Sequence, residues 1–218
     1  MKNLNLTNMK NSILKITAIL LLTGFITITA NAQSTSTTDS ICAGSTGKIY
    51  KISGFAGSTY TWTISGNGTQ ASGGTSDSIT IDWSSTPGTD TLTVVESNVI
   101  GCLGDPVQLV VVRLVPPTVV LSGADSICIN SATTLSKLQM DFTGYAPWTV
   151  GYTEAGTART VTTSSAQYNF NSQTFSTSGV KSYVTTTLFD RFGCSGTHTG
   201  TASVTVFPKP TTSAITHY

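Results

Sequence analysis

The chain has 218 residues, with 11 Lys and Arg against 10 Asp and Glu and only 10% charged residues, which excludes a polyelectrolyte tail and makes nucleic acid a poor partner. Ser and Thr supply roughly a third of the residues after position 32, with 20 Gly in the whole chain. That is the composition of extracellular β-structure and not of a helical enzyme.

Lys2, Lys10 and Lys15 flank a start without acidic residues, ahead of an apolar stretch at 16–28 and the small-x-small site Ala30-Asn31-Ala32. Residues 1–32 read as a cleaved secretory signal peptide, with a run too short and too broken by Thr17, Thr23 and Gly24 to span a membrane. The mature chain is expected to begin at Gln33, to carry a balance of −2 with no block of like charge, and to have no membrane span.

From there the pattern is one of strands. Tyr60, Trp62 and Ile64 alternate with Thr and Ser, as do Ile79, Ile81 and Trp83 with Thr80 and Asp82, so their apolar members face a core. Gly66-Asn67-Gly68 reads as a hairpin turn and Thr86-Pro87-Gly88 as another reversal. Leu92, Val94 and residues 107–115 supply the next strands; after Pro116-Pro117, Trp148, Val150 and Tyr152 begin a comparable series closed by 183–189 and 201–207. No window after the leader sustains a helical period with caps.

The series repeats. Asp39-Ser40-Ile41-Cys42 recurs as Asp125-Ser126-Ile127-Cys128, and Gly101-Cys102-Leu103-Gly104 as Gly193-Cys194-Ser195-Gly196. Trp62 and Trp148 each lie 20 residues after their unit's first cysteine. The mature chain therefore divides into unit one (33–116), unit two (117–208) and a tail (209–218). Four cysteines in an exported chain form a disulfide framework with three connectivities, and the repeat selects Cys42 with Cys102 and Cys128 with Cys194. Short strands, frequent turns and Cys…Trp…Cys spacing predict an all-β fold of two tandem immunoglobulin-like sandwiches.

Unit one, with Cys42-Ala43-Gly44, Ser58-Thr59-Tyr60-Thr61-Trp62, Ser78-Ile79-Thr80-Ile81-Asp82-Trp83 and Gly101-Cys102-Leu103-Gly104, resembles the PKD-like domains of Bacteroidota surface proteins. Unit two, with Phe142-Thr143-Gly144-Tyr145-Ala146-Pro147-Trp148 and Asp190-Arg191-Phe192-Gly193-Cys194, is similar to the Ig-like repeats beside them in gliding-motility and type IX secretion-associated proteins. The resemblance implies a cell-surface or periplasmic structural role, with a larger surface adhesin or outer-membrane export proteins as partners.

Catalysis finds no support, because His198 and His217 are isolated from any nucleophile and acid at triad spacing. No cofactor or metal is expected, since the cysteines are committed to disulfides and the Asp residues are scattered. The alternative function is a small carbohydrate-binding module: Tyr60, Trp62, Trp83 and Trp148 are expected in cores, leaving Tyr145 and Tyr168 near loops to stack on sugars. Four Asp-(Ser/Thr)-aliphatic triplets mark Ser40, Ser78, Thr91 and Ser126 as candidate O-glycosylation sites, similar to the signal Bacteroidota use on exported proteins. In the tail, Ser213, Ala214, Ile215, Thr216, His217 and Tyr218 form a strand-competent segment able to add to a partner's sheet edge.

Overall fold

Alternation of small polar and apolar residues builds seventeen strands and no helix in the computed structural model, which describes residues 37–135 and 137–217. The signal peptide expected at 1–32 and the terminal Tyr218 lie outside the described residues. Unit one contains β1 (Thr37–Cys42), β2 (Lys48–Lys51), β3 (Thr59–Ile64), β4 (Gly68–Gly73), β5 (Ser78–Trp83), β6 (Gly88–Ser97) and β7 (Val107–Leu114). One sheet runs β1-β7-β6-β3 and the other β2-β5-β4.

The core between them follows from parity. In β5, Ile79, Ile81 and Trp83 are buried while Ser78, Thr80 and Asp82 are half-buried on the opposite face. Ile41, Leu92 and Val111 meet them from the other sheet, with Tyr50, Trp62, Ile64 and Leu109 packed at the margin. Trp62 is thus half-buried rather than central, and its indole N–H donates to the Ser76 carbonyl at 3.0 Å. The segment Ser65-Gly66-Asn67 is not a hairpin turn. β3 and β4 lie in different sheets, and the connection crosses between them, held by the Asn67 N–H donating to Asp90 Oδ1 at 3.1 Å. Asp90 is itself buried and paired with Arg113 Nε at 2.6 Å, joining β6 to β7 inside the sandwich.

Unit two contains β8 (Thr118–Ser122), β9 (Ala124–Cys128), β10 (Thr133–Thr134), β11 (Gln139–Thr143), β12 (Trp148–Glu154), β13 (Thr157–Thr163), β14 (Gln167–Asn169), β15 (Ser172–Gln173), β16 (Gly179–Phe189) and β17 (Thr197–Phe207). Its larger core gathers Val119, Leu121, Met140, Phe142, Trp148, Val150, Tyr183, Leu188, Val204 and Val206. β17 serves both layers: its first half pairs in parallel with β8, and its second half pairs with β9 and β16. The change of partner falls at Gly200, where φ is +79° and a Cβ would collide with the Leu121 carbonyl, so glycine is required there. Glu154 is buried in this unit, as is Asp190, and it receives Arg159 Nε and the Tyr183 hydroxyl, each at 3.0 Å.

The expectation of two tandem immunoglobulin-like sandwiches is met. Each has a first cysteine-bearing strand that runs parallel to its last strand, β1 with β7 and β9 with β17, which closes that edge.

A candidate interaction site at the joint between the units

The joint is built from two short elements. On the unit-one side, β1 and β7 end together, with Cys42 opposite Leu114 in register and the Ala43 N–H donating to the Leu114 carbonyl at 3.1 Å. Three residues, Val115-Pro116-Pro117, then carry the chain into β8. On the unit-two side, Thr197 opens β17 opposite Thr118 and donates its N–H to the Pro117 carbonyl at 3.1 Å. Pro117 is buried between Gly144 and Gly196. A Cβ on Gly196 would collide with its carbonyl oxygen, and one on Gly144 would stand 3.0 Å from its Cα.

The loop before β17 is shaped by one carboxylate. Asp190 Oδ1 accepts the N–H groups of Phe192 and Cys194, each at 2.9 Å, and the Asp190 N–H donates to the Cys194 carbonyl at 3.2 Å. This local bonding is the Asx-turn chemistry expected of Asp at a reversal. It presents Cys194, fully buried, to Cys42, and the two form a disulfide with a Cα–Cα distance of 5.3 Å.

This bridge replaces the connectivity expected from the repeat. Cys102 and Cys128 are free and exposed. The reason is the length of the last strand. Cys42 sits opposite the end of β7, whereas Cys102 lies in the loop that precedes its start, so the eight residues of β7 separate the two, roughly 25 Å at the usual rise per residue. A disulfide needs Cα atoms within about 7 Å. The eleven residues of β17 separate Cys128 from Cys194 in the same way. Each unit therefore carries its two cysteines at opposite ends, and the pair that meets is the one flanking the linker.

The tryptophans are not equivalent either. The Gly104 N–H donates to the Glu96 carbonyl as the Gly196 N–H does to Leu188, so Glu96 and Leu188 correspond. Tyr60 stands opposite Glu96 and Val150 opposite Leu188, which matches Trp62 to Tyr152 and Trp148 to Ser58, four residues earlier on the strand and nearer the joint. There Trp148 stacks on Phe142 with ring centroids 5.3 Å apart and donates its indole N–H to the Thr143 carbonyl at 3.0 Å.

The remaining candidate residues are scattered. Ser40 and Ser126 are exposed on β1 and β9; Ser78 and Thr91 are half-buried on β5 and β6. The aliphatic after each of them, Ile41, Ile127, Ile79 and Leu92, is buried, so strand alternation already accounts for the third place of each triplet. In the tail, Ser213, Ala214, Ile215, Thr216 and His217 are exposed and outside any strand. His198 is an exposed residue of β17.

Among the aromatics, Tyr60, Trp83 and Trp148 are buried as expected, and Tyr168 packs against the unit-two core. Tyr145 is partly exposed and meets Phe192 edge-on at 5.4 Å, with the Arg191 guanidinium 4.5 Å from the Phe192 ring centre. The tyrosine hydroxyls are structural. Burial pushes Tyr50 up to about 12, where Trp83 Nε1 donates to it at 3.1 Å and it donates to Asp39 at 3.4 Å. Burial, and next the hydrogen bond to Glu154, holds Tyr183 well above the ordinary phenol range. Among the described residues no group of His, Cys, Asp and Glu is arranged to hold a metal ion, and no helix is long and apolar enough to cross a membrane.

Residues 27–109 match the family model of a PKD-like domain. No curated protein matches the chain. Among solved structures, the fibronectin(III)-like modules of Clostridium thermocellum CbhA are 12% identical over 85% of this chain and 98% of theirs, with a TM-score of 0.36. A three-Ig fragment of titin is 15% identical over 79% of this chain and 63% of its own, with a TM-score of 0.43. The four N-terminal Ig domains of a Dscam1 isoform are 13% identical over 82% of this chain and 45% of theirs, with a TM-score of 0.31. This chain thus spans less than two thirds of the titin and Dscam1 chains.

Proposed function

We propose that this chain is an exported, non-catalytic structural subunit of the bacterial cell surface, on the outer face or the periplasmic face of the outer membrane. In this role it spaces and presents a larger partner: a gliding-type adhesin or a type IX secretion-linked outer-membrane assembly. The observation that carries the reading is the Cys42–Cys194 bridge beside the three-residue linker. Two tethers across one joint suppress bending between the sandwiches, and a bridge of this kind persists in the oxidising compartments outside the cytosol. The buried polar groups Asp90, Arg113 and Glu154 are used for internal pairing and not for chemistry. The match of 27–109 to a PKD-like domain supports the same class.

In this account the exposed tail adds as a strand to the partner, and the exposed Ser40 and Ser126 carry glycans. The test is retention of partners from the native organism on a tag placed just after Gln33. Stoichiometric recovery of a large repeat adhesin or of outer-membrane export proteins is expected, and recovery of the protein alone refutes the subunit role. Removing residues 211–218 is expected to leave folding intact and to reduce that recovery. An intact mass equal to the bare 33–218 chain refutes the glycans.

A second reading, a small carbohydrate-binding module, rests on the Tyr145–Phe192–Arg191 cluster, which presents a partly exposed aromatic pair beside a guanidinium. Glycan-array binding lost on Tyr145→Ala distinguishes it.

A further inference from the structure

Both halves of the joint occur a second time, and both second copies are bare. The strand-end half is repeated by β9: the Ile129 N–H donates to the Phe207 carbonyl at 2.9 Å, and Ser131 to Cys128 at 3.1 Å. In unit one the corresponding bonds are Ala43 to Leu114 and Ser45 to Cys42, both 3.1 Å. The loop half is repeated by residues 98–104. Asn98 Oδ1 accepts the N–H groups of Ile100 and Cys102 at 3.1 and 2.9 Å, as Asp190 does for Phe192 and Cys194. The Asn98 N–H donates to the Cys102 carbonyl, as the Asp190 N–H does to Cys194.

What differs is cover. Cys194 is fully buried but Cys102 is exposed, and Leu114 is 5% exposed where its counterpart Phe207 is 52% exposed. Gly196 abuts Pro117, whereas at the matching Gly104 a Cβ would meet only Glu96 at the end of β6, at 3.5 Å, among the described residues. Around Cys102 lie Phe55, Val99, Ile100 and Leu103, each at least 75% exposed. Four large apolar side chains crowded about a free thiol form a contact surface without its partner.

We propose that Cys128 of one copy forms a disulfide with Cys102 of a second copy, so that copies join head to tail through a joint of the same kind as the one within the chain. The occupant is a second copy because the two bare halves are of opposite type and already have a bonded precedent between Cys42 and Cys194. Applying the unit-one-to-unit-two relation once more brings the Cys128 strand end to a loop like that of Cys194. The contact is heterologous and does not pair a surface with itself, so it extends into an open chain and not a closed dimer. The step is thiol–disulfide exchange: two thiols lose two protons and two electrons, and an oxidant of the disulfide class, a protein dithiol oxidase or oxidised glutathione, is reduced to two thiols. The inference does not depend on which larger partner the subunit serves.

The test is oxidation of the full mature chain with oxidised glutathione, followed by non-reducing electrophoresis and mass spectrometry of the products. A ladder of covalent multimers that collapses on reduction, with a linked peptide pair containing Cys102 and Cys128, is expected. Cys102→Ser alone and Cys128→Ser alone should each remain monomeric, and an equimolar mixture of the two should give a covalent dimer and nothing larger. Both cysteines are exposed and unbonded, so a thermal melt equal to that of the parent is the folding control. A parent chain that stays monomeric under the oxidant overturns the proposal, as do like-to-like dimers in either single variant.

Discussion

Removing the Cys42–Cys194 bridge with Cys42→Ala and Cys194→Ala together tests the joint in free-energy terms. The bridge spans 152 residues, so in the chain-entropy model it raises the free energy of complete unfolding by up to about 5 kcal/mol. That gain is realised only when both sandwiches are unfolded, because with either one folded the bridge no longer closes a free loop of that length. Bridges within each unit would instead stabilise each sandwich separately by about 4 kcal/mol for a loop of some 60 residues. Urea unfolding followed by tryptophan fluorescence reads both cases, since Trp62 and Trp83 lie in unit one and Trp148 in unit two. The expected result is a lower midpoint for the double variant, matched by the reduced parent, with the Cys102→Ala and Cys128→Ala pair unchanged from the parent. If the latter pair lowers the midpoint as far as the former, the reasoning fails.

Three further outcomes follow from the packing. Arg113→Ala leaves Asp90 buried with only the Asn67 N–H, and is expected to cost about 3–5 kcal/mol in urea unfolding; a cost below about 1 kcal/mol would remove that pair as a structural element. Gly196→Ala is expected to cost about 1–3 kcal/mol because Pro117 occupies the space, whereas Gly104→Ala, in ordinary contact only, should stay within about 0.5 kcal/mol. Tyr50 and Tyr183 titrate higher folded than unfolded, so their stabilising contribution is complete below the ordinary value of 10.0 and is lost as pH rises past it, through about 12 for Tyr50. Unfolding midpoints measured from pH 8 to 12 should therefore decline above pH 10, and Tyr183→Phe should flatten the decline.

The strands were legible because parity is a local property. Ile79, Ile81 and Trp83 announce their face within six residues, and the structure buries all three. The repeat was legible where backbone chemistry repeats with the residues: Gly101-Cys102-Leu103-Gly104 and Gly193-Cys194-Ser195-Gly196 form matching loops. Spacing alone misled at Trp62 and Trp148, because equal distance from a cysteine does not preserve register when the intervening connections differ. It misled in the same way at Gly66-Asn67-Gly68, whose composition suits a reversal but says nothing of whether the next strand stays in the same sheet. The cysteine partners were not legible, because they depend on strand pairing that residue spacing does not carry. A first strand parallel to the last puts the two cysteines of one unit at opposite ends, and only the linker brings Cys42 to Cys194.

That linker-spanning bridge is tested most directly by a tryptic map of the oxidised monomer under non-reducing conditions, with free thiols alkylated beforehand. The four cysteines fall in separate peptides: Cys42 in the one ending at Lys48, Cys102 in 52–113, Cys128 in 114–137, and Cys194 in 192–218, because Lys209 precedes Pro210. One linked pair is expected, the Cys42 peptide with the Cys194 peptide, together with alkylated Cys102 and Cys128. Linked pairs joining Cys42 to Cys102 and Cys128 to Cys194 would contradict it.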